Sequence, residues 1–324
     1  MLLNGSLCDL AAEDGDRIEA ALTLLRRQAV GAARLQGRVA ELRKVDESPV
    51  TVVDLLHQTQ LQQLLRREFP DDALLCEEPR SLQERHAVEA AELSRTVYEI
   101  DLEPVFEELP ATGRRVWVLD PIDGTKGFLA GRYFAIALAC FVDGVPRFAA
   151  MAVPGGNDAR PLAIDRSLAF AVAGRGAWIS AIRADAEWPW RRLGGRDDGT
   201  RGGVRVAVSL AHGGPLARRL RETAGIEVIE LDSQAKYLAV ATGDIDAYLR
   251  AARDDGGSDV LWDHLPGGLI ALEAGCSVRH FDGGPVEYAP CETIAFRGGV
   301  VCWRDREGGR VSRTIDELLR RQTA

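Results

Sequence analysis

The stretch WVLDPIDGTKGF, residues 117 to 128, constrains this chain more than any other. An apolar run ends at Asp120, and Asp123 follows across a proline and an isoleucine, with Gly124 and Thr125 next. Two carboxylates that leave a core together cost several kcal/mol each to desolvate unless a cation or basic group compensates them. Pro121 forbids a helix through Asp120, and the Asp, Pro and Gly set can bend the chain so that both carboxylates and the Ile122 carbonyl converge on one point. Alone, the segment reads more readily as a proline turn with an Asp-Gly corner. Oxygen donors gathered in this way suit a hard cation such as Mg2+.

The flanking pattern is α/β. Residues 14–40 carry apolar side chains at three-to-four spacing, which predicts an amphipathic helix. A second helix is expected from SPVTVVDLLHQ, with Ser, Pro and Thr as opening signals and a stop at Phe69-Pro70. ALLCEE at 73–78 and RVWVLD at 115–120 read as strands that each deliver acids at their ends. Glu77 could supply a bridging ligand from the adjacent loop, although Glu77 and Glu78 also read as a solvated acidic strand end. AIALACFV, DG and VPRFAAMAVP predict a hairpin turning at Asp143-Gly144 and closing a first unit. We therefore expect two units, residues 1–154 and 155–324, the first carrying most of the acids. The glycine-, arginine- and aspartate-rich segment 183–203 reads as a surface loop, and ARDDGGSDV at 252–260 as a mobile one. Beyond residue 203, strand-like and helix-like stretches alternate, an α/β signature.

Composition narrows the function. With 324 residues, 46% of them hydrophobic, the chain can bury a large core. A net charge of −9 argues against binding a nucleic acid polymer, so any anionic ligand needs local positive charge. The longest apolar stretch, FAIALACFV at 134–142, is far short of the roughly 20 residues of a membrane helix. The first residues lack the pattern of a secretory signal. Six cysteines scattered without CxxC spacing argue against a disulfide framework or a zinc site, and a reducing cytoplasm fits them best.

SPVTVVDLLHQ, FPDDALLCEE, VWVLDPIDGTKGF, DSQAKY, AYLR and WDHLPGG, taken together and in order, resemble the lithium-sensitive, magnesium-dependent phosphatases of the inositol monophosphatase superfamily. The likeness covers about residues 45 to 290, and DPIDGTKGF with SPVT is nearest to the 3'(2'),5'-bisphosphate nucleotidase branch. It implies a layered α-β-α-β-α sandwich with the site in a cleft. It implies two or three Mg2+ ions on Glu77, Asp120, the Ile122 carbonyl, Asp123 and Asp263, and a water activated by Asp54 and Thr125. Gly124 and Thr125 would cradle the phosphate. Ser233, Lys236 and Arg250 match residues that meet the second phosphate and nucleotide body, and Ser209 with His212 a base-side pair. The chain departs from the family at the spacer in SLAH, which weakens the base contact, and at Cys76 and Cys276, which question local turns but not the acids. The expected partner is a small phosphate ester. An inositol phosphatase and a non-catalytic anion-binding protein are the alternatives. The segment DSQAKY would set Ser233 and Lys236 on one face if it is helical, and Asp263 standing alone would read as a helix cap.

Overall fold

The computed structural model describes residues 14–102, 109–156, 162–183, 189–194, 203–210, 214–252, 258–305 and 309–320. It has the expected five layers. The first layer is α1 (Gly15–Leu35) with α2 (Val52–Glu68). These lie on a seven-stranded sheet of β3 (Ala73–Cys76), β4 (Arg115–Asp123), β5 (Ala135–Val142), β6 (Val145–Val153), β7 (Ser167–Val172), β8 (Gly176–Ala181) and β9 (Arg191–Arg192), hydrogen-bonded in that order. The third layer is α7 (Ala235–Thr242) and α8 (Leu265–Glu273). Behind it stands a second sheet in the order β11 (Ile226–Leu231), β10 (Val204–Ser209), β12 (Ala247–Ala251), β16 (Gly299–Trp303), β14 (Ser277–His280). The last layer is α6 (Gly214–Arg221) and α9 (Arg310–Arg320).

Alternation along the strands builds the layers. In β4, Trp117 and Leu119 join the core under α1 and α2, while Val116 and Val118 join the core around α7 and α8. Both faces of the first sheet are covered, which is why its strands are near-continuous apolar runs. α8 is buried from Leu265 to Ala271, as a helix between two sheets must be. Val206, Val208, Leu249 and Val301 of the second sheet face α6 and α9.

Several boundaries differ from the sequence reading. α1 stops at Leu35 rather than 40, because the Gln36 side chain turns to donate to the Arg132 carbonyl at 2.6 Å. The β5–β6 hairpin turns at Asp143-Gly144, both at positive φ, but it does not end the first sheet. β7, β8 and β9 carry that sheet past residue 154 to Arg192, because the other edge of β6 still offers a full ladder, which β7 takes up. The 183–203 segment is therefore partly an edge strand, with Leu193 buried behind it; residues 184–188 and 195–202 lie outside the described residues. In 252–260, residues 253–257 lie outside them too, and Asp259–Val260 form a short strand, β13, paired with β15 (Thr293–Ile294). No helix among the described residues is long and apolar enough to cross a membrane.

The first two layers are pinned by Asp72, which is 2% exposed. It accepts from Arg17 of α1 at 2.8 and 3.2 Å and from the Trp117 indole of β4 at 3.0 Å. Asp72→Ala leaves both donors without this acceptor, and we expect a loss of about 3 kcal/mol. Urea denaturation checks this; a loss below about 1 kcal/mol would show that α1 docks on apolar contacts alone.

Candidate active site

Strand direction places the first two acids. β3 and β4 are parallel and in register from Ala73↔Val116 to Cys76↔Leu119, so the residues that follow, Glu77 and Asp120, emerge at the same sheet edge. Asp120 and Asp123 are three apart, and in an unbroken strand they would point to opposite faces. β5 pairs Asp120 with Ala137 and Asp123 with Ala135, so two residues of β4 stand against one of β5. This bulge adds the half-step that turns both carboxylates to one side. Pro121 suits it, since a proline has no N–H to lose from the ladder.

The remaining groups arrive from other layers. Thr51 caps α2: its hydroxyl accepts from the Val53 amide at 3.1 Å and donates to Asp54 Oδ2 at 2.6 Å, while its own amide donates to the same oxygen at 2.8 Å. Asp54 is thereby buried with Oδ1 toward Thr125, whose hydroxyl lies 3.5 Å from it and donates to the Ile122 carbonyl at 3.1 Å. Thr125 opens α5 (Thr125–Leu129) after Gly124, which takes φ +86° where a Cβ would come within 3.1 Å of Ser233. Asp263 ends a 3-10 turn, Leu261–Asp263, and does not cap α8. Its carboxylate instead joins Asp120 and Asp123, with ligand oxygens of the three within 4.8 Å of one another.

These acids line a cleft of about 480 Å3 together with Glu77, Ile122, Gly124 and Thr125. The second sheet supplies the opposite wall from the C-terminal ends of its strands: Ser209 at the end of β10, Asp232 and Ser233 after β11, and Arg250 in β12, with Lys236 from α7. Ser233 precedes α7 rather than sharing a helical face with Lys236, because it sits at φ +63° and its hydroxyl caps the Ala235 amide at 3.1 Å. Lys236 is buried over the Tyr248 ring and donates to the Leu231 carbonyl at 3.2 Å and to the Ser233 carbonyl. Arg250 is paired with Asp259. His212 lies outside the described residues.

The electrostatics are those of an anion cluster in want of charge. Burial, then repulsion from Glu77, Asp123 and Asp263, holds the Asp120 carboxyl well above the usual range. Burial, then Asp123 and Glu77, does the same to Asp263. Burial pushes Asp54 up to about 7 and Asp123 to about 6, the latter restrained by the Gln234 amide, which donates to Asp123 Oδ2 at 2.5 Å. Glu78 is pushed up to about 9, by burial and then by Glu77. Asp120 Oδ1 is buried without a hydrogen-bond partner. A buried carboxylate oxygen with nothing to accept from, among oxygen donors only, fits a hard cation.

Sequence reasoning missed Lys44 and Gln234. Lys44, just after β1 (Leu42–Arg43), puts its ammonium 2.6 Å from Glu77 and 2.8 Å from Glu78. The two glutamates outweigh the cost of burying it and hold its pKa above the usual lysine value. Gln234 donates to the Trp262 carbonyl at 2.8 Å and accepts from the Gly267 amide at 3.0 Å, fixing the turn that carries Asp263. No local signal marks Lys44, but Gln234 stood inside the DSQAKY motif.

A model of the inositol monophosphatase family matches residues 16–302. The chain belongs to the inositol monophosphatase family. A 3'(2'),5'-bisphosphate nucleotidase of Emericella nidulans is 31% identical over 299 residues, covering 80% of this chain and 85% of that protein. One of Schizosaccharomyces pombe is 30% identical over 292 residues, covering 80% and 81%. Among solved structures, an inositol monophosphatase of Thermotoga maritima aligns at a TM-score of 0.64 with 20% identity, over 94% of this chain and 99% of its own. An IMPase/NADP phosphatase complexed with Mg2+ and phosphate aligns at 0.61 with 16% identity, over 94% and 95%. The enzymatic reading and the five-layer fold made from sequence are thus those of the family.

The raised carboxyls set a pH dependence. Between the ordinary carboxylate range and about 9, the folded, metal-free chain binds more protons than the unfolded one, so stability falls as pH rises through that window. With excess chelator, Tm should fall steadily from about pH 5 to about pH 9, and Asp120→Asn should flatten the fall. Saturating Mg2+ should raise Tm at the alkaline end. A Tm independent of pH and metal would contradict a buried acid cluster.

Proposed function

We propose that this family member removes the 3'-phosphate of adenosine 3',5'-bisphosphate, giving AMP and phosphate, and acts likewise on the sulfated relative 3'-phosphoadenylyl sulfate. The observation that carries the reading is the convergence of Asp120, Asp123 and Asp263 at the cleft, with Asp120 Oδ1 unpartnered. The nucleotide end is supported by relatives at about 30% identity that bear the bisphosphate nucleotidase name.

Glu77, Asp120, the Ile122 carbonyl, Asp123 and Asp263 would hold two or three Mg2+ ions. When bound, the ions supply Lewis acidity at the phosphoryl oxygens and make hydroxide available near neutral pH. Asp54 and Thr125 handle the proton. With Oδ2 committed to Thr51, Asp54 keeps Oδ1 for Thr125, and burial sets the carboxyl at about 7, poised to take a proton near neutrality. Gly124 and Thr125 begin α5, where backbone amides would receive the phosphate oxygens. Lys236, Arg250 and Ser233 would hold the phosphate that stays, and Ser209 with His212 the base side. The substrate is then a small phosphate ester, and five free cysteines among the described residues accord with a reducing cytoplasm.

Phosphate release from adenosine 3',5'-bisphosphate should require Mg2+ and vanish with chelator. Asp123→Asn should lower kcat by more than tenfold, above about 1.4 kcal/mol, with unchanged circular dichroism. Thr125→Val should slow turnover while metal binding persists.

Specificity is best tested at Lys236, since removing Arg250 would leave Asp259 buried and unpaired. Lys236→Met keeps the packing over Tyr248 but removes a charge-assisted bond worth about 1.5 to 3 kcal/mol. kcat/KM should fall by about 10- to 150-fold for the bisphosphate and hardly at all for a monophosphate. Equal losses for both would favour an inositol phosphatase.

A further inference from the structure

The bulge in β4 leaves the Pro121 carbonyl between two acids of the cleft, and the bonds that hold it come from outside the acid set. His57 lies one turn beyond Asp54 on α2 and is fully buried. Its Nδ1 stands 3.1 Å from the Pro121 carbonyl, and its Nε2 stands 2.9 Å from the Tyr98 hydroxyl. A carbonyl has no proton to give, so Nδ1 donates, and in the neutral ring Nε2 then accepts from Tyr98. The chain of bonds has one direction: Tyr98 O–H to His57, His57 N–H to Pro121.

Tyr98 is fixed as firmly as His57. It ends a π turn, Ser94–Tyr98, and meets the imidazole edge to face at 5.6 Å between centroids. Its ring fills the space above Gly31 of α1, where a Cβ would come within 2.1 Å of it. Gln28 of α1 donates to the His57 carbonyl at 3.0 Å and to Gln60 at 3.2 Å, and Gln60 donates to Ser94 at 3.3 Å. Three elements are thus cross-linked around one imidazole. Burial holds that imidazole well below its ordinary pKa, at about 4, so the neutral ring carries the pattern at neutral pH.

We propose that His57, backed by Tyr98, is a positioning residue that sets the peptide between Pro121 and Ile122 and thereby the direction of the Asp120, Ile122 and Asp123 oxygens. In a bulge the extra residue has no ladder partner, so its peptide plane is free to turn unless something else holds it. His57 is that hold. Rotating the plane would swing the Ile122 carbonyl and the two carboxylates away from a common point. Outer partners of this kind typically change metal affinity by 10- to 100-fold when lost.

The inference rests on the metal reading above, and the test separates the two. Binding of Mn2+ in place of Mg2+, followed by its electron paramagnetic resonance signal without substrate, would be measured for wild type, His57→Leu, His57→Asn and Tyr98→Phe. Metal-free Tm would be measured beside it. His57→Leu should weaken Mn2+ binding by about 10- to 100-fold. His57→Asn should recover most of this, because its amide nitrogen sits where Nδ1 sat and donates to the same carbonyl. Tyr98→Phe, which only unfixes the tautomer, should fall between. A structural role alone would lower metal-free Tm in the Leu and Asn variants with Mn2+ affinity unmoved, and that outcome overturns the proposal. So does an Asn variant that binds no better than Leu. If His57→Leu fails to fold, Tyr98→Phe decides, and wild-type affinity in it overturns the proposal. A wild type that binds no Mn2+ would overturn the metal reading itself, and this inference with it.

Discussion

Repulsion among buried carboxylates is the interaction on which the rest of this structure depends. Asp54, Asp120, Asp123 and Asp263 sit in one neighbourhood with Glu77 and Glu78, in surroundings that raise five of their carboxyls on burial and mutual charge. Such a cluster opposes folding unless protons or cations compensate it. Among the described residues, Lys44 compensates the Glu77 and Glu78 end through ion pairs. At the Asp120 end the direct partners are neutral dipoles, the Gln234 amide on Asp123 and the Thr51 and Thr125 groups around Asp54, while Lys236 and Arg250 act on Asp123 and Asp263 only through space. The compensation is therefore uneven. Asp120 Oδ1 lies at the end without an ion pair and has no hydrogen-bond partner, and that is where a divalent ion gains most.

The two sheets divide the labour. The first brings Glu77, Asp120 and Asp123, through a parallel register and a bulge that are properties of its backbone. The second presents strand ends that carry Ser209, Ser233 and Arg250, the place where open α/β sheets commonly bind ligands. α7 and α8, packed between them, fix the spacing, and Gln234 ties the start of α7 to both Asp123 and the Asp263 turn. A change in the second wall can alter the cleft without touching the acids of the first sheet.

Much of this was legible in the sequence, and the exceptions have physical causes. The strand ends at Glu77 and Asp120 could be read from apolar runs that stop at acids, and Thr51 from its place before a helical pattern. The bulge could be anticipated only as a bend at Pro121, since register belongs to the partner strand. Asp259 was hidden in a glycine-rich stretch, because a two-residue strand has no period to detect. It nevertheless neutralises Arg250. Lys44, His57 and Tyr98 could not be read at all: each acts across 33 to 64 residues of chain, and nothing near them in sequence marks the contact.

Bonds to the surrounding elements fix the shape of the cleft. Asp120 and Asp123 lie on a strand whose neighbours on both sides are buried, so the backbone cannot relax the repulsion by fraying. Asp54 is a helix N-terminal residue that two bonds to Thr51 hold in place, and moving it would uncap α2. Ser233 accepts a left-handed backbone to keep its hydroxyl on α7. Each of these residues serves a structural element and the cleft at once. Strain kept in this way costs of order 1 kcal/mol at each unusual backbone angle, and it persists only because the surrounding layers over-determine it. A site built from such residues is preorganised, because the elements that hold its oxygens also hold the fold.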